Sequence, residues 1–163
     1  MMGVDFRIPR APDWPWLAAT FRDTGLFWPG QSIEDAAQRL RGGLAYLATP
    51  YSQLARDGAG SWNRNASDGA VDLAACWSAW FAMDGVMAAS PVVLSASMVH
   101  AMGPETVDPF DQVFWARWCQ PLLAVSSAVA VPMVEGWSES RGVWRACCYA
   151  ARHQRPVVLM VQP

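Results

Sequence analysis

Short runs of apolar residues with no polar alternation recur along this chain, and they constrain its fold more than any other feature. The clearest is Pro156-Val157-Val158-Leu159-Met160-Val161, and shorter ones lie at 44–48 and 127–132. A strand that is apolar on both faces must be covered on both, the condition met inside a parallel sheet. Between two of these runs, in 63–83, Ala70, Leu73, Ala74, Trp77, Trp80 and Phe81 recur at spacings of three and four, the period of an amphipathic helix. The run 86–94 reads as a further strand. Asp108-Pro109 offers an N-cap with Pro at the first helical position, for a helix reaching about residue 125. A turn over 136–142 then leads into a helix over 143–153.

Strands alternating with helices predict an α/β fold. The expected form is a small doubly wound parallel sheet of four to five strands with helices on both faces, flavodoxin- or Rossmann-like. The first 43 residues differ from the rest: Pro9, Pro12, Pro15 and Pro29 interrupt a stretch carrying Trp14, Trp16, Phe21, Phe27 and Trp28. Ser32 with Asp35 approximates a capping box, and Gly42-Gly43 supply a stop, so one short helix is expected there. The chain thus divides into a Pro/Trp-rich arm, 1–43, and a domain, 44–163. The arm's aromatics are expected to pack on the core or on another subunit, with a lid over a ligand as the alternative.

Composition narrows the function. At 163 residues the chain suits one domain of about 150, and with 53% apolar and 16% charged residues it is too apolar to be disordered. Its formal charge of −2 is spread without a basic stripe, which argues against duplex nucleic acid as a partner. All twelve basic residues are Arg. Schiff-base chemistry and the Lys-dependent phosphate loop are therefore excluded, and an anion must be held by Arg or by backbone amides. The apolar stretch at 86–99 falls short of the roughly 20 residues a bilayer requires, so no membrane contact is expected. The opening residues lack a secretory pattern, and a cytoplasmic location is expected. Four Cys without a CxxC pair, and His100 and His153 without ligand spacing, predict no metal site and mostly buried, reduced thiols. Ten Trp exceed what so small a core readily absorbs, so an interface within a homo-oligomer is expected.

A doubly wound sheet places its ligand beyond the carboxyl ends of the strands, where connections diverge. The loops to inspect are therefore Thr49-Pro50-Tyr51-Ser52, after the run at 44–48, and Gly136-Trp137-Ser138-Glu139-Ser140-Arg141-Gly142, which opens into a helix. Ser138, Ser140 and Gly142 at a helix N-terminus can present free N–H groups and a favourable dipole to an anion. They can equally serve as an ordinary cap. Glu135 and Glu139 read as solvated surface charges.

Three segments together, Tyr46-Leu47-Ala48-Thr49-Pro50-Tyr51-Ser52, Trp115-Ala116-Arg117-Trp118 and Gly136 to Val143 in a GWxxSxG pattern, resemble the nucleoside 2-deoxyribosyltransferase-like superfamily, in particular a bacterial and phage branch. The resemblance covers about 44–161. It implies cleavage or transfer at the N-glycosidic bond of a nucleoside or nucleoside 5′-monophosphate without a cofactor, through a Glu nucleophile and a glycosyl-enzyme, as in retaining glycosidases. It also implies that Tyr46 sits beside nucleophile and sugar. Ser140 and Gly142 would line the 5′ end, and Thr49, Pro50, Tyr51, Ser52, Gly136, Trp137 and Ser138 would contribute to substrate binding. Two departures matter. Ala146 stands where the family carries the nucleophilic Glu, and Cys119 stands where relatives often carry an Asp. Asp111 lies at helical spacing from Trp115 and Cys119, and Asp111 or Asp108 is expected to reach in as a substitute acid. The expectation is a glycosidic-bond enzyme disabled at residue 146; the alternative is a non-catalytic nucleotide-binding or sensing module.

Overall fold

The runs apolar on both faces form the middle of one sheet. The structure, a computed structural model, describes residues 8–163, so the part of the arm and of the secretory-signal expectation that falls on residues 1–7 lies outside the described residues. In chain order the elements are α1 (Trp14–Thr20), β1 (Phe27–Gln31), α2 (Ile33–Leu40), β2 (Leu44–Leu47), α3 (Arg64–Met83), β3 (Met87–Ala89), α4 (Pro91–Met102), α5 (Gln112–Val125), β4 (Ala128–Pro132), α6 (Arg141–Arg152) and β5 (Val157–Met160). The five strands pair parallel in the order β1-β5-β4-β2-β3, a Rossmann-like α/β arrangement with helices on both faces. Every residue of β4 and β5 is buried, as their composition requires.

Alternation along the central strands divides the core in two. Tyr46, Val129, Val131, Val157 and Leu159 point to one face, where Leu17 of α1, its C-cap Phe21, Leu123 of α5 and Val143, Trp144, Ala146 and Cys147 of α6 cover them. Ala45, Leu47, Ala128, Ala130, Val158 and Met160 point to the other, beneath Ala36, Ala37 and Leu40 of α2 and Trp77 and Phe81 of α3. Small residues of β2 and β4 lie opposite Trp77 and Phe81, so large and small side chains interdigitate across that layer. Among the described residues, no helix is long and apolar enough to cross a membrane.

The arm contributes three elements rather than one short helix. Its helix α2 begins as its sequence predicts, with the Ser32 hydroxyl accepting from the Asp35 N–H. Strand β1 pairs with β5 through Phe27 and Val157 and through Trp28 and Val158, so residues 27–31 share the sheet with the rest of the chain. Its Pro29 is tolerated because β1 is an edge strand. Helix α1 packs on α6, where Trp14 lies 4.5 Å from Trp137 and 5.3 Å from Trp144 between ring centroids. The arm's aromatics therefore pack on the core, and Trp77 in α3 is wholly buried there as well.

Two expected elements are corrected. The strand expected over 86–94 is only Met87–Ala89; Ser90 then caps α4 by accepting from the Val93 N–H, with Pro91 in the first turn. A short apolar run fits a strand or a buried helix equally, and Ser-Pro decides for the helix. The helix expected from Asp108-Pro109 starts at Gln112 instead, because Asp111 caps it. Asp108 closes a local turn by accepting from the Phe110 N–H.

Candidate functional site

The order β1-β5-β4-β2-β3 reverses direction between β2 and β4: from β2 the chain proceeds outward to β3, and from β4 it proceeds the opposite way to β5. A crevice forms beyond strand ends at such a point. Here it is a cavity of about 340 Å³, within the range of small-molecule sites. Its walls come from the segment after β2, the start of α4, the start of α5 and the start of α6.

Seven of the residues singled out from sequence line this cavity: Tyr46, Thr49, Tyr51, Ser52, Cys119, Ser140 and Gly142. Others do different work. Pro50 is fully buried, and Trp137 stacks on Trp14. The Ser138 carbonyl accepts from the Trp14 indole N–H, and Gly136 takes φ of +76° in the turn, a conformation suited to glycine. Ala146 belongs to the core beneath the cavity, one helical turn beyond Gly142 on the same face of α6. The Asp111 carboxylate accepts from the Val113 and Phe114 N–H groups and lies outside the cavity, in a surface depression with Phe114 and Trp118. Of the two expected substitute acids, Asp111 is thus an N-cap and Asp108 closes a turn without lining the cavity, while Trp115 and Cys119 further along α5 do face it.

The floor pairs two weak acids. The Tyr46 phenol and the Cys119 thiol both line the cavity, and each perturbs the ionisation of the other. Burial pushes the Tyr46 phenol well up from its usual value, and Cys119 adds to the effect while Arg145 opposes it. Burial raises the Cys119 thiol too, against the opposing pull of the neighbouring Tyr46 phenol and the Arg145 charge. Both are neutral at physiological pH, so the floor offers hydrogen bonds without a strong nucleophile.

The wall at α6 is cationic. Arg141 and Arg145 line it at helical spacing i and i+4, and among the described residues neither lies within salt-bridge distance of a carboxylate. Ser140 caps this helix by accepting from the Val143 N–H. Facing the same cavity, Thr49 is 7% exposed, and among the described residues its hydroxyl has no hydrogen-bond partner. Such an orphaned hydroxyl is costly unless something else satisfies it. Arg56 completes the polar lining, with its guanidinium 3.7 Å above the Phe110 ring and its Nε donating to the Ser52 carbonyl.

Arg141 and Arg145 sit inside or beside the glycine turn, but their i, i+4 relation emerges only because α6 starts at Arg141, two residues before the predicted helix. Glu139 lines the cavity as well, as an exposed carboxylate at its rim. Pro91, Val92 and Ser95 carried no such signal, since their run reads as a strand. Among the described residues, no group of three or more His, Cys, Asp or Glu side chains is placed to hold a metal ion.

No curated protein and no solved structure matches the chain. A family described as a domain of unknown function, DUF1937, matches residues 43–162, which span the whole cavity lining but leave β1 outside. The chain belongs to this DUF1937 family.

Proposed function

We propose that the cavity binds a nucleoside 5′-monophosphate without cleaving it, and that the chain is an N-glycosidic-bond enzyme scaffold disabled at residue 146. The observation that carries the reading is the pairing of a buried hydroxyl, Thr49, with two guanidinium groups, Arg141 and Arg145, near the N-terminus of α6; among the described residues the hydroxyl has no hydrogen-bond partner and the guanidinium groups no carboxylate partner. A phosphate supplies acceptor oxygens and negative charge, which bidentate Arg geometry and the helix dipole both favour. The Phe110 and Trp115 rings and the aliphatic wall of α4 supply apolar surface for a base.

Absence of turnover follows from the carboxylates. Glycosidic cleavage of this kind needs a carboxylate nucleophile and a proton donor for the departing base. Among the described residues, Glu139 is the one carboxylate in the lining, exposed at the rim, and Ala146 offers no nucleophile. The test is free-base detection by chromatography, together with calorimetric binding, for the wild type and Ala146→Glu across common nucleosides and their 5′-monophosphates. Expected are binding of monophosphates with no base released by the wild type, and base release by the Glu variant. Base release by the wild type contradicts the disabled scaffold, and silence in both assays from folded protein contradicts the reading altogether.

A further inference from the structure

A polar chain runs from the cavity wall into the interface of α3 and α4. The Tyr51 hydroxyl accepts from the Trp62 indole N–H at 3.1 Å and lies 2.7 Å from Ser67 Oγ. Ser67 Oγ in turn lies 2.8 Å from His100 Nε2, while His100 Nδ1 is 3.5 Å from Asp68 Oδ1. Ser67 is fully buried, so water does not replace either of its neighbours. The outer member of this network, Tyr51, lines the cavity.

We propose that Tyr51, Ser67 and His100 form a hydroxyl relay in which protonation of His100 turns the Tyr51 O–H from Ser67 toward the cavity, coupling anion binding there to proton uptake. The proposal rests on the cavity being an anion site, and it follows from counting donors. With neutral His100, the charge of Asp68, 3.5 Å from Nδ1, favours the proton on that nitrogen, and Nε2 accepts from the Ser67 O–H. Ser67 Oγ then accepts from the Tyr51 O–H, and Tyr51 Oη accepts from Trp62. When a solvent proton adds at Nε2, that nitrogen becomes a donor to Ser67 Oγ. The Ser67 O–H must then point to Tyr51 Oη, where the Trp62 N–H also points. The Tyr51 proton is displaced from both neighbours, and the cavity is the remaining side. One proton is taken up at His100 and none is released.

The charged groups facing His100 are Asp68 and Arg64, both on α3; from the loop before α3 comes the uncharged Trp62 ring, 6.0 Å away between centroids. Burial, then Arg64, lowers the His100 pKa, with Asp68 opposing, so the free protein holds the neutral form at pH 7. In that form Tyr51 is turned inward. An anion that needs a donor from Tyr51 must draw a proton onto His100.

The test uses sulfate, which stays a dianion across the working range, and imidazole nitrogen NMR of the full chain with His100 assigned through His153→Gln. In the free protein the Nδ1–H tautomer is expected; the Nε2–H tautomer overturns the relay. At saturating sulfate the His100 midpoint should rise by about one pH unit, equivalent to roughly tenfold tighter binding to the protonated form. Tyr51→Phe and, independently, Ser67→Ala should abolish that rise. An equal rise in both variants, or no rise while the Gly142 and Val143 amides respond to sulfate, overturns the relay alone. Gly142 and Val143 amides that ignore sulfate overturn the anion site on which the relay rests, and the coupling with it.

Discussion

The indole N–H of Trp14 donates to the carbonyl of Ser138 at 2.9 Å, joining residues 124 apart in sequence. The bond ties the arm to the turn that delivers Ser140, Arg141 and Gly142 to the cavity. Trp144, on the helix opened by that turn, reciprocates by donating its indole N–H to the Pro9 carbonyl at 3.0 Å. Among the described residues, those of the arm lie outside the cavity and still set the position of one wall.

Trp14→Phe should keep most of the ring packing and lose the bond to Ser138, costing about 1 kcal/mol. Trp14→Ala should cost about 3 kcal/mol, since it also empties the space beside Trp137 and Trp144. Urea unfolding of both variants checks the order. Equal stability of Trp14→Ala and wild type would show that the arm is not part of the cooperative unit.

Arg145→Ala should weaken nucleoside 5′-monophosphate binding by about 1.5–3 kcal/mol, the range for hydrogen bonds to charged groups, and leave nucleoside binding nearly unchanged. Arg141→Ala should act in the same direction with a smaller effect, because Arg141 is exposed and Arg145 half-buried. Calorimetry with each ligand pair separates a phosphate contact from a general loss of the fold.

The cysteines should alkylate in an order set by exposure and thiolate fraction. Cys76 is exposed and should react first. Cys119, half-buried with its pKa raised, should react slowly at neutral pH, and fully buried Cys147 only on unfolding. Peptide mass spectrometry after timed iodoacetamide treatment reads the order, and fast labelling of Cys119 would contradict a neutral Tyr46–Cys119 floor.

Because folding lowers the His100 pKa below its ordinary 6.5, the unfolded chain binds more protons there than the folded one as pH falls. The stability from this residue is complete above pH 6.5 and declines as pH drops toward the folded pKa. His100→Gln should flatten the slope of unfolding free energy between pH 6.5 and 5. An unchanged slope would show that His100 is not the group responsible.

The doubly apolar runs made β2, β4 and β5 legible, since a fully buried parallel strand leaves its mark in every residue. Strand β1 was not, because Phe27-Trp28-Pro29-Gly30-Gln31 contains two residues that weaken strands and survives as an edge beside β5. Helix α4 was hidden for the opposite reason: Val92, Val93 and Leu94 are as apolar as a buried strand, and only the Ser90-Pro91 start distinguishes them. In the cavity, the two loops after β2 and β4 follow from topology, and the turn residues follow from their glycines and hydroxyls. The α4 wall and the Tyr51–Ser67–His100 chain arise from packing α4 on α3, which no local pattern encodes.

The most direct measurement is calorimetric titration of the wild-type chain with nucleoside 5′-monophosphates and the matching nucleosides, with chromatography of each mixture for free base. Saturable binding of a monophosphate, tighter than its nucleoside and without base release, is the expected result. No binding of any monophosphate by folded protein, or free base from the wild type, would contradict a nucleotide-binding scaffold that lacks its nucleophile.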